Sequence, residues 1–207
     1  MLEKIKSWIL PKEIDFFKAL AQQGLQTQNI IDTLRKSYVE SASQNHDALF
    51  KLIAEAKENQ SSNLKNLNAA FITPVDREAI ARAHTQLFWV TLSIKHLVIE
   101  IDTYQIYNLS EYQSIFELLQ QEMSELVNGY QMLHTKTYDK ALENIDQIIH
   151  LDNKVIKLYA NFLAELFKDT DLPRVFMHKE ILSQLKEISK RMHVCANLLE
   201  DIIFKLN

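Results

Sequence analysis

The chain has 207 residues, nearly half of them apolar, with 23 basic against 27 acidic side chains and a formal charge of −4. That length buries an ample core. The acidic balance argues against the counterion-release binding that dominates nucleic-acid affinity, so DNA and RNA are not expected partners. Two glycines (Gly24, Gly129) and three prolines (Pro11, Pro74, Pro173) are too few breakers for a sheet protein and imply few, long elements. The single Cys195 cannot form an internal disulfide and sits in an apolar-periodic stretch, which suits a buried thiol in a reducing cytoplasm.

Met1–Leu10 carries Glu3, Lys4 and Lys6 within too short an apolar run for a secretory signal. No stretch approaches the length of a membrane span. Apolar spacing and stop signals then predict six helices, over 12–38, 42–69, 75–106, 111–134, 138–169 and 175–205. Phe16 and Phe17 in the first read as packing residues. Ser41 with Gln44 predicts the start of the second helix, and Ser110 with Gln113 that of the fourth. Thr73, Pro74 and Asp76 predict the start of the third, with the Thr73 hydroxyl as cap and Pro74 at the first helical position.

The third helix has the clearest seam: Ile80, Ala83, Leu87, Val90, Ile94, Leu97 and Ile101 alternate steps of three and four. The fifth repeats it with Ala141, Ile145, Ile148, Val155, Tyr159, Phe162 and Leu166, but Asp152 occupies a position in the stripe. An unpaired carboxylate there would cost several kcal/mol or take up a proton, so Asp152 is expected to be buried with a hydrogen-bond partner. The sixth runs through Leu182, Leu185, Ile188, Met192, Cys195, Leu199 and Ile202. Pro74 and Pro173, ninety-nine residues apart, hint at two copies of a three-helix unit. The expected fold is an all-α, six-helix antiparallel bundle. Its halves, about 12–106 and 111–205, should pack as one domain over 1–207, since no linker separates them.

Catalytic spacing is missing. No Glu is followed three residues later by His, as a di-iron bundle requires, and neither a His-Glu-x-x-His zinc motif nor a Gly-rich phosphate loop nor a Gly-x-Ser-x-Gly elbow is present. The expectation is a non-enzymatic protein with no cofactor. His84 and His96 share a face of the third helix with Phe88 and Leu92, but twelve residues, roughly 18 Å of rise, separate them, too far for one shared ion. Both are expected as partly exposed histidines flanking the seam, and Trp89 as a packing residue.

The string Phe71-Ile72-Thr73-Pro74-Val75-Asp76-Arg77-Glu78 resembles the Phe-Ile-Thr-Pro-Phe-Asp-Arg-Glu signature of the PhoU-like phosphate-transport regulators, in the branch often encoded beside low-affinity Pit permeases. Cys195-Ala196-Asn197-Leu198-Leu199-Glu200-Asp201-Ile202-Ile203 resembles that family's closing segment, and Leu158-Tyr159 through Leu163-Ala164-Glu165-Leu166-Phe167 its fifth helix. The resemblance implies a PhoU-like fold of two three-helix halves and a Pit accessory role in phosphate transport regulation. The partner implied is a phosphate transporter or its signalling partner, met peripherally at the inner face of the membrane, with self-association a further option.

The family also implies acidic pairs that hold metal clusters. Counted from the matched strings, these fall at Ile53 and Lys57, Phe88 and Leu92, Asp152 and Ile156, Lys190 and Val194, of which only Asp152 remains acidic. The expectation is therefore that the cluster is lost, the alternative being metal binding through residual carboxylates and histidines. Phe71, Thr73, Pro74, Asp76, Arg77 and Glu78 then read either as a docking surface or as a helix start with a solvated first-turn charge cluster.

Overall fold

A computed structural model describes residues 14–41 and 46–206; the expectations for Met1–Leu10, for a first helix beginning at residue 12 and for Gln44 lie outside them. Among the described residues there are six α-helices and no strand: α1 Phe16–Arg35, α2 His46–Ala69, α3 Arg77–Tyr104, α4 Gln113–His134, α5 Tyr138–Leu166 and α6 Leu172–Leu206. Each buries the face that its periodicity marks. Every seam residue named above for α3 and α6 is buried. On α5 the stripe is buried from Ala141 to Val155 and only partly covered at Tyr159 and Phe162.

With so few glycines, the chain ends its helices by other means. Gln105 after α3 takes a left-handed conformation (φ 58°), and the Ile106 amide turns back to the Ile101 carbonyl at 3.0 Å. Lys136 after α4 does the same (φ 60°), with the Thr137 amide 2.8 Å from the Met132 carbonyl. α1 instead passes into one π-helical turn, Lys36–Glu40, which holds Tyr38 fully buried and leaves its carbonyl 2.8 Å from the Leu109 amide.

The starts correct two expectations. α3 begins at Arg77 with Asp76 as cap, its carboxylate accepting from the Ala79 amide at 2.8 Å; Thr73 and Pro74 precede the helix and do not cap it. Ser41 ends the first helical run, donating to the Lys36 carbonyl, and the expected start of the second helix at residue 42 lies outside the described residues. Ser110 opens a 3₁₀ turn, Ser110–Tyr112, before α4, and its own amide donates to Asn108 Oδ1.

α1, α3, α4 and α6 form an inner layer in which α1 packs on α4 and α3 on α6. α2 lies outside against α1 and α3, and α5 outside against α4 and α6, so the halves repeat one three-helix plan. Asp15 at the start of α1 meets His134 at the end of α4, and Glu100 near the end of α3 meets Gln184 in α6, so the halves run antiparallel to each other. Glycine allows the closest approaches. A Cβ on Gly129 would sit 2.6 Å from Leu199 Cδ2, and one on Gly24 3.1 Å from Val127 Cγ2.

Candidate functional site

The signature string occupies the connection between α2 and α3. Val75 is buried beneath it, whereas Phe71 and Ile72 stand 87% and 78% exposed at its tip. The Arg77 guanidinium reaches back to the carbonyls of Ala70 and Phe71, satisfying acceptors that the end of α2 leaves open. Asp76 caps α3 and also accepts from Lys205 in the last turn of α6. Those two hydrogen bonds, with the Lys205 bond the larger influence, hold its carboxyl below the usual range. Phe204, 65% exposed beside Lys205, joins the same end of the bundle. Arg77 and Glu78 are exposed on the first turn of α3, where Glu78 pairs loosely with Arg82. Phe71, Thr73, Pro74, Asp76, Arg77 and Glu78 are therefore brought together.

Asp152 is elsewhere, at the junction of α4, α5 and α6. It is buried, and both its oxygens accept hydrogen bonds: Oδ1 from the Ser189 hydroxyl and Oδ2 from His193 Nδ1, each at 2.8 Å. The same hydroxyl lies 2.8 Å from Glu122 Oε1 on α4, while Glu122 Oε2 is buried with no partner. Burial pushes the Glu122 carboxyl up to about 8; the Ser189 bond opposes this and the nearby Asp152 adds to it. The order of groups is Ser, Asp, His, with the histidine beyond the acid. No histidine touches the serine, whose hydroxyl instead lies between the two carboxylates.

Glu122, Ser189 and His193 escaped the sequence reading. Glu122 sits three residues after Leu119 and four before Leu126, inside the apolar seam of α4, a signal of the same kind as that at Asp152. The neighbouring positions of the acid pattern are filled by Ile156, exposed, Val194, half-buried, and Lys190, exposed. In the first half, Ile53 is buried and Phe88 and Leu92 half-buried, with Lys57 exposed. Among the described residues no three His, Cys, Asp or Glu side chains converge in an arrangement suited to a metal ion.

His84 is a correction: it is fully buried, not partly exposed, because its face of α3 lies against α1. There Gln23 grips it twice, Oε1 accepting from Nδ1 at 2.6 Å and Nε2 donating to the His84 carbonyl at 2.9 Å. Desolvation pulls its pKa down to about 4. His96 is exposed, as expected. Trp89 is 40% exposed, with the Arg191 guanidinium 5.3 Å from its ring centre.

At the opposite end of the bundle from the signature, Arg174 binds Asp169 at 2.9 Å and Glu111 at 3.2 Å, and the Tyr112 hydroxyl lies 2.7 Å from His178 Nδ1. Burial lowers the His178 pKa, with Glu111 opposing. Glu111, Arg174 and His178 border an open cleft of about 510 Å³. Arg174 is spent on two carboxylates, which leaves the cleft no free cation for an anionic ligand.

Among the described residues, no helix is long and apolar enough to cross a membrane. No family model matches the chain. It is similar to the UPF0111 protein YkaA of Bacillus subtilis (strain 168), at 28% identity over 144 residues, which cover 69% of this chain and 70% of that protein.

Proposed function

We propose that the protein is a non-enzymatic accessory of inorganic phosphate transport, without a resident cofactor, which acts by contact with a phosphate permease or its signalling partner at the cytoplasmic face of the membrane. The contact is made through the Phe71–Glu78 segment. The observation that carries this reading is the pair Phe71 and Ile72, 87% and 78% exposed on a connection that Arg77 pins from behind. Two adjacent large apolar side chains held out in water gain nothing for the fold, and such surfaces mark contacts with other molecules. The resemblance of this same segment to the PhoU-like signature supplies the pathway.

The test is phosphate uptake in cells carrying Phe71→Ser with Ile72→Ser, or Arg77→Ala with Glu78→Ala, in place of the wild-type chain. Both variants should melt close to the wild type yet give the uptake phenotype of a deletion, and neither should be retained by the immobilised permease complex. Wild-type uptake from both variants would refute the docking role.

A further inference from the structure

The junction of α4, α5 and α6 contains fewer protons than its oxygens demand. Ser189 has one hydroxyl hydrogen but stands 2.8 Å from a carboxylate oxygen on either side, Glu122 Oε1 and Asp152 Oδ1. Asp152 has a second donor, His193, whose side chain is 31% exposed and so borders water. Glu122 has none, and its other oxygen is buried without a partner. Two carboxylates facing one hydroxyl in a dry junction would leave one lone pair against another. A proton on Glu122 removes the conflict.

We propose that Glu122 is carried as the neutral acid, donating to Ser189, which donates to Asp152, and that this proton is a pH-sensitive latch joining α4, α5 and α6, released as the surroundings become alkaline. The first half offers a comparison. At Gln23, ninety-nine residues before Glu122, α1 carries the neutral amide and bonds across to α3, as Glu122 on α4 bonds across to α6.

The groups that face Glu122 favour the neutral form. α5 contributes the Asp152 carboxylate, and α6 contributes Ser189, with His193 on the far side of Asp152. The titratable groups of α1 held against α4 are engaged elsewhere: Asp15 with His134, Asp32 with Gln120, Arg35 with Glu117. Burial, the largest influence, and then Asp152 outweigh the Ser189 bond and raise the Glu122 carboxyl from 4.5 to about 8. The sign follows from linkage. A folded-state pKa above the unfolded one gives stability that is complete below about 4.5, declines as pH rises, and is exhausted above about 8.

The experiment is a carbon-13 NMR titration of the assigned Glu122 carboxyl in the intact protein, paired with melting curves from pH 6 to 9 for the wild type, Glu122→Gln and Asp152→Asn. The expected carboxyl midpoint lies near 8 in the wild type and lower in Asp152→Asn, where the neighbouring charge is gone. The wild-type melting temperature should fall across this range, with faster hydrogen exchange along α5 near Asp152. Glu122→Gln, which keeps a donor to Ser189, should fall less steeply. A wild-type midpoint below 6 overturns the proposal, as does a melting profile in Glu122→Gln that parallels the wild type. The NMR titration needs no variant, so it decides the question even if Glu122→Gln does not fold.

Discussion

Neutralising His84 permanently should remove an acid-sensitive part of the stability, by an amount that its burial sets. The folded protein holds His84 neutral, its pKa lowered from 6.5 to about 4 by desolvation. Its contribution is complete above pH 6.5 and is lost as pH falls toward 4, because the unfolded chain takes up the proton first. At 1.36 kcal/mol per pKa unit, moving from pH 7.5 to 5.0 crosses about 1.5 units of that interval, or about 2 kcal/mol. His84→Asn keeps a donor near the Nδ1 position for Gln23 Oε1 and cannot titrate. The smaller side chain leaves a void, but that cost is the same at both pH values and cancels in the comparison. Urea unfolding at pH 7.5 and 5.0 is the assay: the wild type should lose about 2 kcal/mol more than His84→Asn between the two. Equal losses, within about 0.5 kcal/mol, would show that His84 is not buried against α1 as described.

Gly129→Ala forces a methyl to within 2.6 Å of buried Leu199, so overpacking should outweigh the gain in helix propensity and cost about 1 kcal/mol in urea unfolding, whereas Gly24→Ala, 3.1 Å from Val127, should be close to neutral. Asp76→Ala should lower the melting temperature and Thr73→Ala should leave it within the effect of an ordinary surface change, about 0.5 kcal/mol, because the carboxylate and not the hydroxyl caps α3. Cys195 is fully buried, and desolvation raises its pKa far above the ordinary thiol range. A thiol reagent at pH 8 should therefore label it only at the rate of unfolding, and prompt labelling of the native protein would contradict its placement.

The helices and their buried faces were legible in the sequence because each seam keeps its own 3.6-residue rhythm whatever it packs against. The helix starts were less so. Thr73 and Asp76 are both competent caps, and the choice falls to Asp76 because Arg77 ties the residues before it to the end of α2 while Lys205, from far along the chain, meets the same carboxylate. The burial of Asp152 could be anticipated from its place in the stripe of α5. Its partnership with Glu122 could not, since that runs through Ser189, 67 residues from Glu122 and 37 from Asp152. A linear pattern marks a polar group as buried without saying which neighbour satisfies it. His84 fails for the same reason: a residue on the flank of a seam is wet or dry according to which helix is laid beside it, and here it is α1.

The π turn at Lys36–Glu40 sets the direction in which the chain leaves its first helix. One residue beyond the α-helical count is wound into that turn, and deleting any one of its five would return the segment to a regular α-helix and change which side chain and which carbonyl face inward there. Tyr38 would then rotate out of its slot, and the Leu109 amide, in the connection between the halves, would lose the carbonyl that receives it. The turn therefore behaves as an accommodated insertion whose length is fixed by a contact about seventy residues away. Sequences that share this architecture can be sorted by that single count, since a chain one residue shorter here must close the crossover between its halves in another way.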